Sequence, residues 1–501
     1  MRSGIWTRLR CKKRAVLSLA LLVALTGCAG AGKTEEAERK ITETGTRFTA
    51  APVLPRALVD QNGYRTGSEK VVIFRADDAG ELFEVRSASD DAVVYTGSIR
   101  QSEAGDIGTG QFSAFQTEGR YYIYTDTVGS SYAFRIDNSL TDRVHAEALG
   151  SFYLRRCGIQ IDAAVAGTYS RAACHTDGAR LQSDPTLEQD TQGGWHTDAE
   201  GNRDTVTGCA ALRELLLSYE IHTERYGDDT GIPESGNGIP DILDEARYEI
   251  DWIGKLQTSQ GTVSGGVYTG GNENSVNLTI GNVTPEAAMA FAGAAARFAY
   301  VYGTFDRTYA DSVLAMAEAA WNAASAQKSL AQDTAAFAAA AELYRVTGEK
   351  KYENTLSAWF GRNDFTSLFT ENEDVFYGGV TYMATRQPVN VAVCDTVMDS
   401  LLKTSEAIVR RASENAWLVA QAETEALLRD MCRLAVANYV IYNHEYTGIM
   451  ENHIHYLAGR NPEAVNYLND GTEYTYRDAG VRGVMLTPEN SAKLVLMTGG
   501  M

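Results

Sequence analysis

The chain has 501 residues, of which 44% are hydrophobic and 22% charged, so it fits two to four folded units better than one small domain. Its composition excludes collagen-like and intrinsically disordered chains. Acidic residues (65) outnumber basic ones (45), and the formal net charge of −20 argues against nucleic acid as a partner, because that partner needs a basic surface.

Residues 1–27 predict a bacterial secretion signal. Basic residues between Arg2 and Arg14 precede an apolar stretch, 15–25, that is too short to span a bilayer easily. The stretch ends in Leu25-Thr26-Gly27-Cys28, which resembles the cleavage box of bacterial lipoproteins. That resemblance implies an exported protein whose lipidated Cys28 anchors it to the outer face of the cell membrane. An ordinary signal peptide with a chance cysteine is the alternative.

The segment that follows, residues 28–51, is small and polar and predicts a tether. Seven cysteines are too few for a disulfide scaffold in a chain of this length. Those after Cys28 are odd in number, so they cannot all pair with one another. They are Cys157, Cys174, Cys209, Cys394 and Cys432.

Residues 52–140 predict a β-sandwich. Short runs rich in β-branched and aromatic residues are separated by glycine-containing turns. These runs are 70–74, 82–85, 92–95, 120–124 and 131–136. The size suits an immunoglobulin-like sandwich, and a small jelly roll is the alternative.

Residues 141–501 predict a domain built of helices, with almost no strand pattern. Apolar residues recur at three- and four-residue steps. The clearest segments are 208–224, 240–258, 284–302, 307–325, 332–346, 391–411, 415–441 and 446–459. No fixed repeat is visible, which favours a closed toroid or large bundle of helices over an open solenoid. The loops at one end of a toroid would form a site, and we expect a monomer.

The most specific segment runs from Ile232 to Arg247. Its glycines and prolines fix a loop, and Asp241 then favours the start of a helix electrostatically. As a string, it resembles a signature of glycoside hydrolase family 9, the cellulase family with an (α/α)6 barrel.

Further segments match that family in chain order. They are 152–158, 193–196, 265–268, 340–348 and 455–462. Upstream, 60–64 and 110–115 resemble the immunoglobulin-like module that often precedes this barrel. The resemblance implies an immunoglobulin-like β-sandwich followed by an all-α (α/α)6 barrel.

Two thiols and two imidazoles form a donor set that suits tetrahedral zinc: Cys157, Cys174, His175 and His196. Their spacing is not that of a zinc finger, and buried cysteines with loop histidines explain the residues equally well. The family resemblance implies a structural zinc, because some members carry one at these positions. A Cys157–Cys174 disulfide is the competing interpretation.

Calcium also occurs in the family. Asp241, Asp244 and Glu245 are candidate ligands, although solvation of a helix surface explains these acids as well. We expect no organic cofactor.

Hydrolysis of a glycosidic bond with inversion needs a general base and a general acid about 6.5–9.5 Å apart. In family 9 the base comes from Asp-Ala-Gly-Asp after Gly-Gly-Trp-His, but here Thr197-Asp198-Ala199-Glu200 follows His196. No register restores both aspartates. We expect Asp198 or Glu200 to be the base, and solvated loop acids are the alternative.

The acid position is also altered. The resemblance places the family glutamate near Val484, and Glu489 is the nearest carboxylate and the candidate acid. The His-His-Arg substrate motif of the family is missing, because no histidine follows His455. Arg477 or Arg482 is a candidate replacement.

Substrate binding is expected from residues that offer flat faces or polar tips to a sugar ring. The candidates are Trp195, His196, Tyr268, Tyr377 and Tyr456. Packing in the barrel core is the alternative for the aromatic rings, above all for Tyr456.

The resemblance implies an O-glycosyl hydrolase that degrades a β-linked glucan at the cell surface. Thr197 and Val484, at the family's catalytic positions, leave open a glycan-binding lipoprotein that uses the same cleft without hydrolysis. A hydrolase of another β-glycan, such as an amino-sugar polymer drawn to an anionic cleft, is a further alternative.

Overall fold

A computed structural model describes residues 54–102, 105–271, 277–327, 329–469 and 483–501. The predicted signal, 1–27, and the tether that begins with Cys28 lie outside the described residues. Within the described ranges, no helix is both long enough and apolar enough to cross a membrane.

The N-terminal part is a β-sandwich of eight strands. They are β1 (Ala57–Leu58), β2 (Val71–Arg75), β3 (Leu82–Ser87), β4 (Val93–Gln101), β5 (Ile107–Gln111), β6 (Gly119–Thr125), β7 (Gly129–Ser130) and β8 (Phe134–Ile136). The strand order is β1-β2-β5-β4-β3-β6-β7, and β8 also pairs with β6.

Strand β4 joins the two layers of the sandwich. Its residues up to Ser98 pair with β3, and Ile99 to Gln101 pair with β5. Phe83 fills the space between the layers, where a side chain at Gly97 or Gly110 would lie 2.5 Å from its ring. These two glycines therefore let the core close around one phenylalanine.

The C-terminal part is helical. Its helices are α1 (Leu140–Leu154), α2 (Ala163–Ala166), α3 (Thr205–Ile221), α4 (Asp241–Lys255), α5 (Pro285–Tyr302), α6 (Arg307–Ser325), α7 (Thr334–Thr347), α8 (Lys350–Phe360), α9 (Phe365–Glu371), α10 (Glu373–Ala384), α11 (Val391–Glu414), α12 (Thr424–Val440), α13 (His444–Leu457) and α14 (Pro488–Thr498).

Six of these helices form an inner ring, α3-α5-α7-α10-α12-α14, and α14 packs back on α3. Arg433 of α12 lies over the Phe376 ring of α10 at 5.5 Å and closes the ring. Helices α1, α4, α6, α8, α11 and α13 pack outside it. The predicted fold class, a β-sandwich followed by an (α/α)6 barrel, is confirmed.

Inner helices begin with capped N-termini at one end of the barrel. Asp204, Thr284, Asn372 and Thr487 each accept a hydrogen bond from a backbone N–H in the first turn of α3, α5, α10 and α14. Such caps satisfy backbone donors that a helix start leaves open. They fix the positions of the side chains around this end.

Short strands frame the same end. They are β9 (Ala179–Leu181), β10 (Glu188–Gln189), β11 (Arg203–Asp204), β12 (Val263–Ser264), β13 (Gly266–Tyr268), β14 (Leu278–Ile280) and β15 (Val283–Thr284). Strand β11 runs directly into α3, and β15 into α5. The sequence did not predict these strands, because two or three residues show no alternation.

Most helices predicted from apolar spacing are present, but the one predicted over 415–441 begins only at Thr424. Before it, Asn415 accepts a hydrogen bond from the backbone N–H of Trp417, and Leu418 has a φ of 58°. This turn conformation excludes an α-helix there despite the apolar residues.

The sandwich packs firmly against the barrel. The Asp60 carboxylate lies 2.7 Å from Nδ1 of His455, and both side chains are buried. The backbone N–H of Gln61 donates to the carbonyl of Ala458 at 2.8 Å. These bonds hold the C-terminal end of α13 to the loop between β1 and β2 of the sandwich.

Candidate active site and metal centre

The structure brings together the four residues predicted to bind zinc. The two sulfurs, of Cys157 and Cys174, lie 4.0 Å apart. His175 Nδ1 is 3.4 Å from the Cys157 sulfur, and His196 Nε2 is 3.6 Å from the Cys174 sulfur. The two imidazole nitrogens are 3.3 Å apart. All four side chains are buried, and together they form a group able to hold a metal ion.

These separations suit one tetrahedral ion. Ligands at the usual zinc–sulfur and zinc–nitrogen lengths lie about 3.3 to 3.8 Å from one another. The sulfur–sulfur distance is nearly twice a disulfide bond of about 2.05 Å, and both cysteines are free thiols here. The donor set therefore fits a metal better than the competing disulfide.

Local backbone structure holds this cluster in place. The Cys157 N–H donates to the Gly194 carbonyl at 2.8 Å, and the His196 N–H donates to the Arg155 carbonyl at 2.9 Å. His175 has a φ of 48°, a left-handed conformation that costs a non-glycine residue energy. The hydrogen bond from the Cys157 thiol lowers the pKa of Cys174 by more than burial raises it, and His175 and His196 lower this pKa further. A thiolate is therefore favoured at Cys174.

A second, acidic group lies in the 232–247 segment. Asp228, Asp241 and Asp244 approach closely enough to hold an ion, and burial raises the pKa of Asp244 to about 6. Glu245, a candidate calcium ligand, is not part of this group, because its carboxylate accepts from Arg156 Nε at 3.0 Å. The sequence missed Asp228, whose oxygens accept from loop backbone N–H groups.

A cavity of 420 Å³ opens at the N-terminal ends of α3, α10, α12 and α14. Among the described residues, five with carboxylate side chains line it: Asp198, Asp204, Glu373, Glu425 and Glu489. Two cations, Arg429 and Lys493, line it as well. The cavity therefore unites one candidate base with the candidate acid.

Asp198 organises the turn that leads into β11. One carboxylate oxygen accepts from the backbone N–H groups of Glu200 and Asn202, both at 3.0 Å, and the other accepts from the Asn202 side chain at 2.8 Å. Glu200 is exposed and is not among the residues that line the cavity. Of the two candidate bases, the structure places only Asp198 at the cavity.

Glu489 lies in the first turn of α14 and contacts a buried cation. Lys493 Nζ is 2.6 Å from Glu489 and 3.2 Å from Glu373. Burial alone would lower the pKa of Lys493, but Glu214, Glu373 and Glu489 together raise it. One ammonium group is therefore shared between carboxylates of α10 and α14.

Tyr268 is the one predicted aromatic residue at the cavity. Its hydroxyl donates to Asp204 at 3.3 Å, and burial together with Asp204 raises its pKa to about 12. The sequence did not identify Asp204 as a candidate site residue. An acid just before an apolar helical run is the signal of a helix cap, and the cap at Asp204 also faces the cavity.

The other predicted substrate-binding residues are buried. Trp195 packs edge-on against Phe152, Tyr377 stacks under Arg213, and Tyr456 is 3% exposed. His196 belongs to the metal cluster. No ring face is open to a sugar, so the sugar contacts predicted for these residues are corrected to core packing.

Trp195 is fixed by two buried acids of α4. Its backbone N–H donates to Glu249 at 2.7 Å, and its indole N–H donates to Glu245 at 3.3 Å. Burial raises the pKa of Glu249 to about 8. These bonds position the loop that carries His196 and Asp198.

At the predicted acid position, Val484 is buried in a short 3-10 helix, 483–486. The candidate replacements Arg477 and Arg482 lie outside the described residues. Glu373, Glu425, Arg429 and Lys493 were missed in the sequence, because they come from three helices that only the fold brings together.

Comparison with known proteins follows the two parts of the fold. Residues 142–478 match the model of glycosyl hydrolase family 9, and residues 54–130 match that of the cellulase N-terminal ig-like domain. The chain is 27% identical over 499 residues to Endoglucanase D of Acetivibrio thermocellus, covering 90% of this chain and 75% of the relative.

Two solved structures share the fold. A metagenome-derived glycoside hydrolase family 9 endoglucanase superposes with a TM-score of 0.77 at 21% identity, covering 88% of this chain and 98% of the other. A Zn-binding triple mutant of the family 9 endoglucanase J30 superposes with a TM-score of 0.70 at 24% identity, covering 80% and 83%.

Proposed function

The chain belongs to glycosyl hydrolase family 9, and on that basis we propose that it hydrolyses a β-linked glucan with inversion at the anomeric carbon. The observation that carries this proposal is the 420 Å³ cavity, which Asp198 and Glu489 both line. A glucan chain bound there would place its scissile bond between these carboxylates. The relative named Endoglucanase D supports a β-glucan as the substrate.

In the proposed reaction, Asp198 takes a proton from a water molecule as the water attacks the anomeric carbon. Glu489 gives a proton to the departing glycosidic oxygen, and the C–O bond breaks. Lys493 remains paired with Glu373 when Glu489 carries the proton, because the ammonium contacts both acids. Tyr268 supplies a ring and a hydroxyl at the cavity wall.

The test is the release of reducing ends from β-glucans, xylan, mannan and chitosan by the purified chain without residues 1–27. We expect Asp198→Asn and Glu489→Gln each to lower kcat by about 10² to 10⁴. Glu200→Gln is the matched control, since this exposed acid lies on the same turn but outside the cavity. Loss of activity in Glu200→Gln, with Asp198→Asn unaffected, would reassign the base.

A glycan-binding protein is the second candidate, favoured by Val484 at the position of the family glutamate. It predicts that calorimetry detects oligosaccharide binding while no substrate of the panel releases reducing ends. Chitosan as the substrate cleaved fastest would favour the amino-sugar alternative.

We further propose that Cys157, Cys174, His175 and His196 hold a structural zinc ion. Zinc would join residues 155–157 to the loop that carries Asp198. The expected result is one zinc per chain by elemental analysis, lost in Cys174→Ser and kept in the control Cys394→Ser. Equal zinc in both variants would refute the assignment.

For localisation, we propose that the protein is exported and lipid-anchored at the cell surface through Cys28. The charge, apolar length and cleavage box of residues 1–28 support this. Detergent-phase partitioning of the wild-type protein, and its loss in Cys28→Ala, would be the expected outcome. Soluble wild-type protein would contradict it.

A further inference from the structure

A second cavity of 320 Å³, the axial cavity, is lined by residues of the inner helices α3, α5, α7 and α10. The two cavities are separated by the first turns of α3 and α10. Asp204 and Thr207 face the active-site cavity while Val206 faces the axial one. On α10, Glu373 faces the first cavity and Asp374 the second. The axial cavity therefore adjoins the active-site cavity across these two turns.

Small side chains keep the axial cavity open. On α5 its lining runs from Glu286 at the mouth to Arg297 at the floor, about 16 Å along the helix. Between these ends the wall is largely alanine and glycine from three inner helices: Ala210, Ala290, Gly293, Ala294, Ala335 and Ala338. Its volume lies near the lower end of ligand pockets, about 300 to 1,000 Å³.

The floor is closed by a buried ion network. Arg297 is 2.9 Å from Glu220 and 3.0 Å from Glu342, and it is almost fully buried. A glucan chain therefore cannot continue through this cavity. Only a unit that projects sideways from a chain in the cleft can enter it.

The charged side chains of the lining and its lack of described aromatic side chains indicate which class of sugar could enter the axial cavity. Arg213 is neutralised by Asp374 at 3.0 Å and by Glu214 at 2.8 Å. Arg297 is likewise paired with Glu220 and Glu342, so neither cation of the described lining is left unpaired for an anionic sugar. None of the described lining residues has an aromatic ring, so this cavity is not a platform for a continuous chain.

We propose that the axial cavity is a subsite for a single neutral sugar that branches from the main chain of the substrate. This inference rests on the proposed function for the main chain and adds that a branched β-glucan is the preferred substrate. Hydroxyl groups of the branch hydrogen-bond to Asp374, Arg213 and Thr334 at the mouth, and its carbon-rich face contacts the alanines.

The experiment measures binding and hydrolysis separately. Calorimetry on the Asp198→Asn chain, in which the proposed function predicts hydrolysis slower by about 10² or more, compares cellotetraose with a cellotetraose that carries one xylose branch. We expect at least about tenfold tighter binding of the branched ligand, since a group of this size in a fitted pocket commonly discriminates that strongly.

Filling the cavity with Ala290→Leu, in the same chain, removes this preference. The control Ala358→Leu, on the exposed face of α8, keeps it. If Ala290→Leu does not fold, Ala338→Leu fills the same space from α7. Equal affinity for both ligands in the starting chain, or a preference that survives both cavity-filling changes, would overturn the proposal.

Hydrolysis of the same two ligands by the wild-type chain reports on the proposed function alone. Preferential binding of the branched ligand without any hydrolysis would uphold the subsite and refute the hydrolase. Hydrolysis of both ligands without preferential binding would do the reverse.

Discussion

The raised pKa of the buried Glu249 carboxyl predicts how the stability of the folded protein depends on pH. The side chain is fully buried, one oxygen accepts the Trp195 N–H, and the other has no hydrogen-bond partner. Burial raises its pKa from 4.5 to about 8. The folded protein therefore holds a proton that the unfolded chain releases between these values, so this group lowers stability as pH rises from 4.5 to 8.

The magnitude follows from the shift. Between pH 5 and pH 9, this one carboxyl removes about 4 kcal/mol from the free energy of unfolding. Glu249→Gln is neutral at every pH and keeps an oxygen for the Trp195 N–H. The variant should therefore lose about 4 kcal/mol less than the wild type over the same interval.

The assay is urea unfolding of both proteins at pH 5, 7 and 9. Differences between them cancel the other titrating groups, which both proteins share. Glu406→Gln, which removes an exposed carboxyl, is the control and should follow the wild type. Curves for Glu249→Gln and the wild type that stay parallel to within 1 kcal/mol would refute the reasoning.

Three further outcomes are expected. Treatment with a chelator of the proposed zinc ion should lower the melting temperature of the wild type but not of Cys174→Ser; equal shifts would contradict zinc at this site. Lys493→Met should lower kcat about tenfold or more, because Glu489 and Glu373 lose the ammonium group that holds both side chains at the cavity; an unchanged kcat would contradict that role. His455→Ala should destabilise the chain by about 3 kcal/mol in calorimetry, since it strands the buried Asp60 carboxyl; an unchanged transition would show that this pair does not join the domains.

Apolar patterns that extend over many residues were sufficient to predict the fold from the sequence. The apolar spacing over 284–302 and 307–325 matches α5 and α6 closely, because long helices with one buried face carry a strong signal. The helix predicted over 415–441 was wrong at its start, because a turn stabilised by Asn415 forms there despite the helical spacing of apolar residues. Strands such as β11 are too short to show any period.

The residues of the candidate metal site were predictable from the sequence, and most residues that line the cavity were not. Cys157, Cys174, His175 and His196 are uncommon residue types in recognisable segments, and the fold places them together. By contrast, Glu373 and Lys493 are ordinary helix-surface residues in the sequence. Only the closed ring of inner helices turns them toward Asp198 and Glu489.

Burial also decided which aromatic residues can contact a sugar. Trp195 stands in a segment that resembles a substrate loop, yet its ring is fully buried and held by Glu245. The backbone of a loop can thus carry a family pattern while the side chain serves the core. Tyr268 keeps a cavity position because β13 places it beside Asp204.

The most direct test of the account follows the anomeric form of the first product by proton NMR during hydrolysis of a β-1,4-linked oligosaccharide. Attack by a water molecule that Asp198 activates, on the face opposite to the departing oxygen, predicts that the α-anomer forms first and then mutarotates. A β-anomer as the first product, or no product from any β-glucan, would contradict the proposed inverting hydrolysis.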